Sequence, residues 1–317
     1  GNKYTYVICP FDEITGKEAL SNKIVIDLGK KNRPDYLYIK SIVNNHESGL
    51  NAINVYADTT AETVAYGLWR SMTNDNKFMK VEVVDEDLTS EFPISDESGS
   101  ASQTPYYYQV FAYDQCNEVI GRSQIAKSVY VQGTKNVQDL INKVTWTNYE
   151  GFDTADTDVD YYNLYRVTTG SNEDLLYSDE RTFKYTDNLE AIDLVSGSIC
   201  YYVEAQETSG NVYGFDEASV SNLLCFDYPP TVFLPNAFTP DNDGRNDSFL
   251  PLVNFIDPTN YELVIYDRTG LLIFKTNDPF EGWSGDSENT GVYAYRLVLS
   301  NARGETMNYA GKVQLIR

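Results

Sequence analysis

The residues of this chain whose types and spacing could do chemistry gather in one acidic, amide-rich loop, Asp241-Asn242-Asp243-Gly244-Arg245-Asn246-Asp247. Asp241, Asp243 and Asp247 alternate along it as carboxylates do in calcium loops, projecting inward from successive turn residues. The loop is not an EF-hand. Glycine falls fourth rather than sixth, and Leu252 stands at the twelfth position, where a Glu is needed. The same side chains equally suit a network of Asx-turns that cap backbone N–H groups without any cation. Both readings, Ca²⁺ as a cofactor or none, are open at this level.

Catalytic constellations do not assemble in the same way. His46 is the single histidine and stands in the polar run Asn44-Asn45-His46-Glu47-Ser48, with no Gly-x-Ser-x-Gly elbow beside it, so it reads as a surface-loop residue. Asp156-Thr157-Asp158-Val159-Asp160 looks ligand-like but reads as an acidic loop between two strands. Among 47 Asp and Glu residues, no spacing singles out a glycosidase pair. The expectation is a protein without enzymatic activity. Cys9, Cys116, Cys200 and Cys225 include no Cys-x-x-Cys pair, and one histidine completes a poor zinc set. A disulfide in an oxidising compartment is expected for Cys200 and Cys225. It closes a loop of about 26 residues and is worth on the order of 3 kcal/mol on the chain-entropy account. The pairing of Cys9 and Cys116 is left open.

The elements that must position these residues are strands. There are 26 tyrosines and aromatic residues make up 14% of the chain, cut throughout by Asn, Asp and Gly turns. No window of about 18 apolar residues exists to cross a membrane as a helix. Against 24 Lys and Arg, the 47 acidic residues leave a net charge of −23, a field that repels nucleic acid and anionic membrane surfaces. The sequence opens at Gly1 without a charged-then-apolar leader, and any export leader is expected on a longer parent chain.

Internal similarity sets the domain plan. Ser21, Ser123 and Ser221 follow Tyr4-Thr5-Tyr6-Val7, Tyr106-Tyr107-Tyr108-Gln109-Val110 and Cys200-Tyr201-Tyr202-Val203, and they recur about every one hundred residues. Tyr66-Gly67-Leu68-Trp69-Arg70 returns as Tyr162-Asn163-Leu164-Tyr165-Arg166 at nearly the same period, alternating faces as a half-buried strand does. The fold class expected is all-β: tandem immunoglobulin or fibronectin III-like sandwiches followed by a small terminal β-sandwich. Residues 1–31 are expected to be the last strands of a truncated module, 32–133 and 134–228 two full modules, and 229–317 the terminal domain. Trp146 is expected on a core-facing strand, and Tyr228-Pro229-Pro230-Thr231 as a short, stiff junction.

The terminal domain carries a run of ordered marks. Pro235-Asn236-Ala237-Phe238-Thr239-Pro240 leads into Asp243-Gly244 and Asn246-Asp247. Tyr266-Asp267-Arg268-Thr269-Gly270, Trp283-Ser284-Gly285, Gly291-Val292-Tyr293-Ala294-Tyr295 and the ending Val313-Gln314-Leu315-Ile316-Arg317 follow in order. With these marks residues 229–317 resemble the type B, gliding-motility-associated C-terminal sorting domain of the type IX secretion system of Bacteroidota. The departures are Thr269, where the family usually has Trp, and Asp241-Asn242, where it usually has Asn-Gly. The upstream modules resemble fibronectin type III-like domains of bacterial surface proteins.

The resemblance implies a secreted, cell-surface protein, a mobile adhesin of gliding bacteria, whose last domain is read after Sec export. Its implied partners are the type IX translocon and an outer-membrane protein of the SprF/PorP type. Recognition would fall on Pro235, Asn236, Phe238, Thr239, Pro240, Asp243, Gly244, Asn246, Asp247 and the terminal Arg317. The sandwiches would serve as stalk modules stacked on short connectors. The alternative is a carbohydrate-binding accessory region of a secreted polysaccharide-degrading enzyme, with tyrosines stacking on a glycan.

Overall fold

The described residues of this computed structural model form 25 strands and no helix, and burial alternates with period two along several of them, Leu50–Ala57 and Ile141–Trp146 among them. The described residues are 2–28, 32–75, 77–85, 89–98, 103–152, 159–168, 173–179, 181–189, 198–301 and 303–317. Asp156 and Asp158 lie outside them. β1 (Asn2–Tyr6) and β2 (Ile24–Leu28) form an antiparallel hairpin with Tyr6, Ile24 and Val25 exposed.

The first sandwich contains β3 (Leu37–Asn45), β4 (Leu50–Ala57), β5 (Ala65–Ser71), β6 (Met79–Val84), β7 (Glu91–Asp96), β8 (Tyr107–Tyr113), β9 (Val119–Arg122) and β10 (Ala126–Lys127). One sheet runs β3-β4-β7, and the facing one runs β10-β8-β5-β6 with β9 also on β8. The second sandwich repeats the plan with β11 (Val131–Asn136), β12 (Ile141–Trp146), β13 (Val159–Thr168), β14 (Asp174–Asp179), β15 (Lys184–Asn188), β16 (Ser198–Glu207), β17 (Ala218–Val220) and β18 (Leu224–Asp227). β11-β12-β15 is one sheet, and β14-β13-β16 with β17 and β18 the other. Trp146 is buried on β12, as its alternation requires. β11 opens the second sandwich at Val131, inside the stretch assigned to the first, because Val131 already pairs with Trp146.

The two sandwiches lie side by side rather than end to end. β17 pairs in parallel with β3 at Val220 and Val43, joining two sheets into one of eight strands. Lys40 bridges Glu217 (2.8 Å) and Glu91 (2.7 Å), and Ser219 Oγ accepts from the Ile42 N–H at 3.0 Å. The Tyr38 hydroxyl donates to buried Glu207 across the same seam at 3.2 Å. Burial pushes the Glu207 carboxyl up, partly offset by donors from Asn211, Glu217 and Tyr38. The lone histidine sits here too. His46 Nε2 lies 2.9 Å from the Ser221 carbonyl oxygen, so that nitrogen carries the hydrogen, and its ring meets Tyr202. One continuous apolar core serves both sandwiches.

The repeated serines are repeated for a reason. Each donates its N–H to, and accepts with Oγ from, the backbone of one residue across from it: Ser21 with Ile8, Ser123 with Val110 on β8 and Ser221 with Val203 on β16. Each Oγ then donates to the next residue's carbonyl. The side chain thereby satisfies a backbone donor where the strand is interrupted. Gln124 and Asn222, which follow, each take both backbone groups of a residue on the first strand of their sandwich, Ile39 and Val131.

A second repeat is electrostatic. Arg70 pairs with buried Asp96 (2.8 Å), which accepts from Tyr108 (2.8 Å), which in turn accepts from Asn51 (3.1 Å). Arg166, Asp187, Tyr201 and Asn142 repeat it, with Arg166 Nη1 donating to both Asp187 oxygens at 3.0 and 3.1 Å. Burial alone would raise the Asp96 carboxyl, but the hydrogen bonds from Ser98, Tyr108 and Arg70 outweigh it and hold it below the usual range.

The terminal domain comprises β19 (Thr231–Phe233), β20 (Ala237–Phe238), β21 (Leu252–Asn254), β22 (Asp257–Tyr266), β23 (Leu272–Thr276), β24 (Gly291–Ser300) and β25 (Thr306–Leu315). β22–β23 and β24–β25 are the two hairpins expected, turning at Gly270 and Gly304, which take φ of 87° and 78°. They lie in a five-stranded sheet ordered β20-β25-β24-β22-β23, beside the pair β19-β21. The domain has an apolar core of its own.

Candidate functional site: the signature segment and the last strand

The expected recognition residues are brought to one edge of the terminal sheet. β20 lies parallel to the end of β25, with Ala237 opposite Gln314 and Phe238 opposite Leu315. Asn236 and Phe238 carbonyls accept from Gln314 (2.9 Å) and Ile316 (3.1 Å). Pro235 and Pro240 flank this short strand, where fixed φ and a missing N–H are tolerated because, among the described residues, its outer side pairs with no other strand.

Several signature residues are packing residues. Phe238 is fully buried against Trp283 (5.3 Å between rings), and Trp283 meets Tyr293 edge-on at 4.8 Å. Gly285 takes φ of 70°, and a Cβ there would stand 3.0 Å from the Phe238 ring and 3.1 Å from Leu315. Arg317 Nη2 donates to the Gly285 carbonyl at 2.9 Å, which ties down the last residue. The ordered marks along the sequence are therefore parts of one contact set. Phe238, Gly285 and Arg317 hold the edge together, while Asn236 and the Asp241–Asn246 run are exposed on it.

In the acidic loop, carboxylate oxygens of Asp241, Asp243 and Asp247 converge within 4.8 Å of one another. Asp247 also accepts from Asn242 (2.7 Å) and Gly244 (2.9 Å), and Asp243 accepts from Arg245 (2.8 Å). Thr239 N–H closes the base of the loop on the Asn246 carbonyl at 2.9 Å. Asn242, Gly244 and Asn246 adopt positive φ of 62°, 85° and 52°, which Gly and Asn tolerate best. The turn network is thus present, and it leaves lone pairs on each carboxylate. Three convergent carboxylates, two exposed and Asp247 half-buried, suit a hard cation such as Ca²⁺, which draws its remaining oxygens from carbonyls and water.

Cys200 and Cys225 are disulfide-bonded and directly opposite each other on β16 and β18, with Cα atoms 4.0 Å apart. Cys9 and Cys116 are free and exposed. The β19–β21 pair, with Phe233 opposite Leu252, was missed in the sequence, since strands of three residues leave too short an alternation to read.

Residues 232–315 match the family described as the CHU_C type IX secretion signal domain. The terminal unit is thus a type IX sorting domain, a signal for export across the outer membrane to the medium or cell surface. No curated protein matches the chain. Solved structures similar to it include a tetra-tandem repeat in the extending region of a large adhesion protein, 13% identical over 99% of this chain and 81% of that one, with a TM-score of 0.30. The FN1–FN3 domains of chicken CNTN1 are 10% identical over 90% and 99%, with a TM-score of 0.22.

Proposed function

We propose that this chain is the C-terminal region of a gliding-motility adhesin of a Bacteroidota bacterium, without enzymatic activity. Its last domain addresses it to the type IX translocon through an SprF/PorP-type outer-membrane partner, and its sandwiches form the stalk. The observation that carries this reading is the shared edge: the Pro235–Pro240 segment and the end of β25 lie side by side, with the acidic loop beside them. Beyond the short β20, no other strand pairs with β25 on the side away from β24 among the described residues. A receptor strand adding there would gain backbone hydrogen bonds, with the exposed loop giving register and specificity.

The stalk role is supported by the side-by-side packing of the two sandwiches, which stiffens them into one unit. Tyr36, Tyr56, Tyr213 and Phe215 spend their faces on one another at this seam, which favours structural tyrosines over a glycan platform. In this reading Asp241, Asp243 and Asp247 hold Ca²⁺, which locks the loop for display. Fusing residues 229–317 to a reporter behind a Sec leader tests the address, and retention in the periplasm would overturn it.

A further inference from the structure

We propose that Tyr228 and Phe255 form a latch that fixes the terminal domain in one orientation on the second sandwich, so that export signal and stalk move as one body. The signal role itself rests on the function proposed above. Phe255 belongs to the terminal domain in sequence but not in packing. Its neighbours Val253 and Ile256 are buried in the terminal domain's own core, whereas the Phe255 ring, 3% exposed, is buried in the core of the sandwiches. Turning the ring outward requires φ of 59°, a conformation that a bulky residue seldom adopts and that surrounding contacts must hold in place. The contact is a stack on Tyr228, rings 4.5 Å apart and 16° from parallel.

Tyr228 is anchored on the other side. It is buried, and its hydroxyl donates to Asn142 Oδ1 at 2.6 Å. Asn142 is the asparagine of the buried Arg166–Asp187–Tyr201 network, so the latch is wired to that network. Comparison of the two repeats shows why this oxygen is available. In the first sandwich the residue opposite Asn51 on the neighbouring strand is Asn44, and its amide donates to Asn51 Oδ1 at 2.9 Å. In the second, the residue opposite Asn142 is Lys135. It makes no such bond; its ammonium instead lies 5.2 Å from the centre of the Tyr228 ring and donates to the Asp227 carbonyl. One change in the repeat thus releases the asparagine oxygen to Tyr228 and places a cation over the same ring. Pro229 and Pro230 follow at once and stiffen the exit. The Arg303–Asp227 pair at 3.3 Å lies at the rim, where solvent screens it.

The test is ¹⁵N relaxation on the intact chain. Amides of residues 232–315 and of the second sandwich should report one shared rotational correlation time. In Tyr228→Ala and, independently, Phe255→Ala, the terminal domain should keep its dispersed spectrum while its correlation time falls by roughly a third or more, toward that of a body its own size. Tyr228→Phe keeps the stack, removes only the bond to Asn142, and should give a smaller fall. Separate correlation times in the unaltered chain, or a shared time surviving both alanine changes, would overturn the latch. The readout needs no translocon. A latched chain that is not exported counts against the address alone, and an exported chain whose last domain tumbles freely counts against the latch alone.

Discussion

Replacing Asp187 by Ala should be among the most damaging single changes in the second sandwich. The carboxylate is buried, takes Arg166 Nη1 between its two oxygens at 3.0 and 3.1 Å, and accepts from Tyr201 at 2.7 Å. Its removal leaves a guanidinium still paired with Asp174 at 3.1 Å, whose side chain is 55% exposed and so compensates weakly. Breaking a buried pair by deleting one member costs about 3–5 kcal/mol, because the surviving charge is left uncompensated. Spread over two fused sandwiches, that is a fall in melting temperature of roughly 6–20 °C. Circular dichroism melts of the intact chain measure it. Removing the ion pair and its tyrosine at once, Arg166→Met with Asp187→Leu and Tyr201→Phe, should recover at least half the loss, since no charge of the network is then left buried. A single variant losing less than about 1 kcal/mol, or a triple variant worse than the single one, would refute the argument that this network is buried and mutually dependent.

Three further outcomes follow from the same contacts. Gly285→Ala should destabilise the terminal domain by about 1–3 kcal/mol, since its φ of 70° and the 3.0 Å approach to Phe238 leave no room for a Cβ; hydrogen exchange in β20 and β25 reads this. Asp96 has a folded pKa below its unfolded value, so its contribution is present above the ordinary carboxylate range and is lost as pH falls through that range and below it. Urea midpoints should therefore decline in acid, and less steeply in Asp96→Asn, whose neutral starting point is already lower. Millimolar Ca²⁺ should raise the terminal domain's melting temperature and slow exchange in the Asp241–Asp247 loop, and Asp243→Asn should remove both effects; identical melts with chelator and with Ca²⁺ would set the cation aside.

Much of this architecture was legible in the residues, and what was legible was local. Tyr66, Leu68, Tyr162 and Leu164 are buried where period two placed them, and the two terminal hairpins turn at the glycines that positive φ demands. The serine repeat pointed to real structure, because each serine replaces a missing backbone partner at the same strand interruption. Cross-strand relations were harder. Asn51, Asp96, Asn142 and Asp187 lie on different strands from Arg70 and Arg166, and their role emerges only when the two repeats are superposed residue by residue. The side-by-side packing was not readable, since β17 meets β3 through one parallel pair and long-range side-chain contacts. Nor was the outward turn of Phe255, which looks like any apolar residue in a terminal-domain run. At the signature segment the order of the marks was visible but not their division of labour: Phe238 and Arg317, expected as recognition residues, also pack and pin the edge.

The central claim is tested most directly by export. A fluorescent reporter with a Sec leader would carry residues 229–317 in a gliding Bacteroidota strain, beside a second reporter carrying residues 1–317. The account predicts that both reach the surface or the medium and that both are retained when the translocon is deleted. Export of the longer fusion alone would assign part of the signal to the sandwiches. Retention of both in the periplasm, while an established substrate of the same system leaves the cell, would contradict the account.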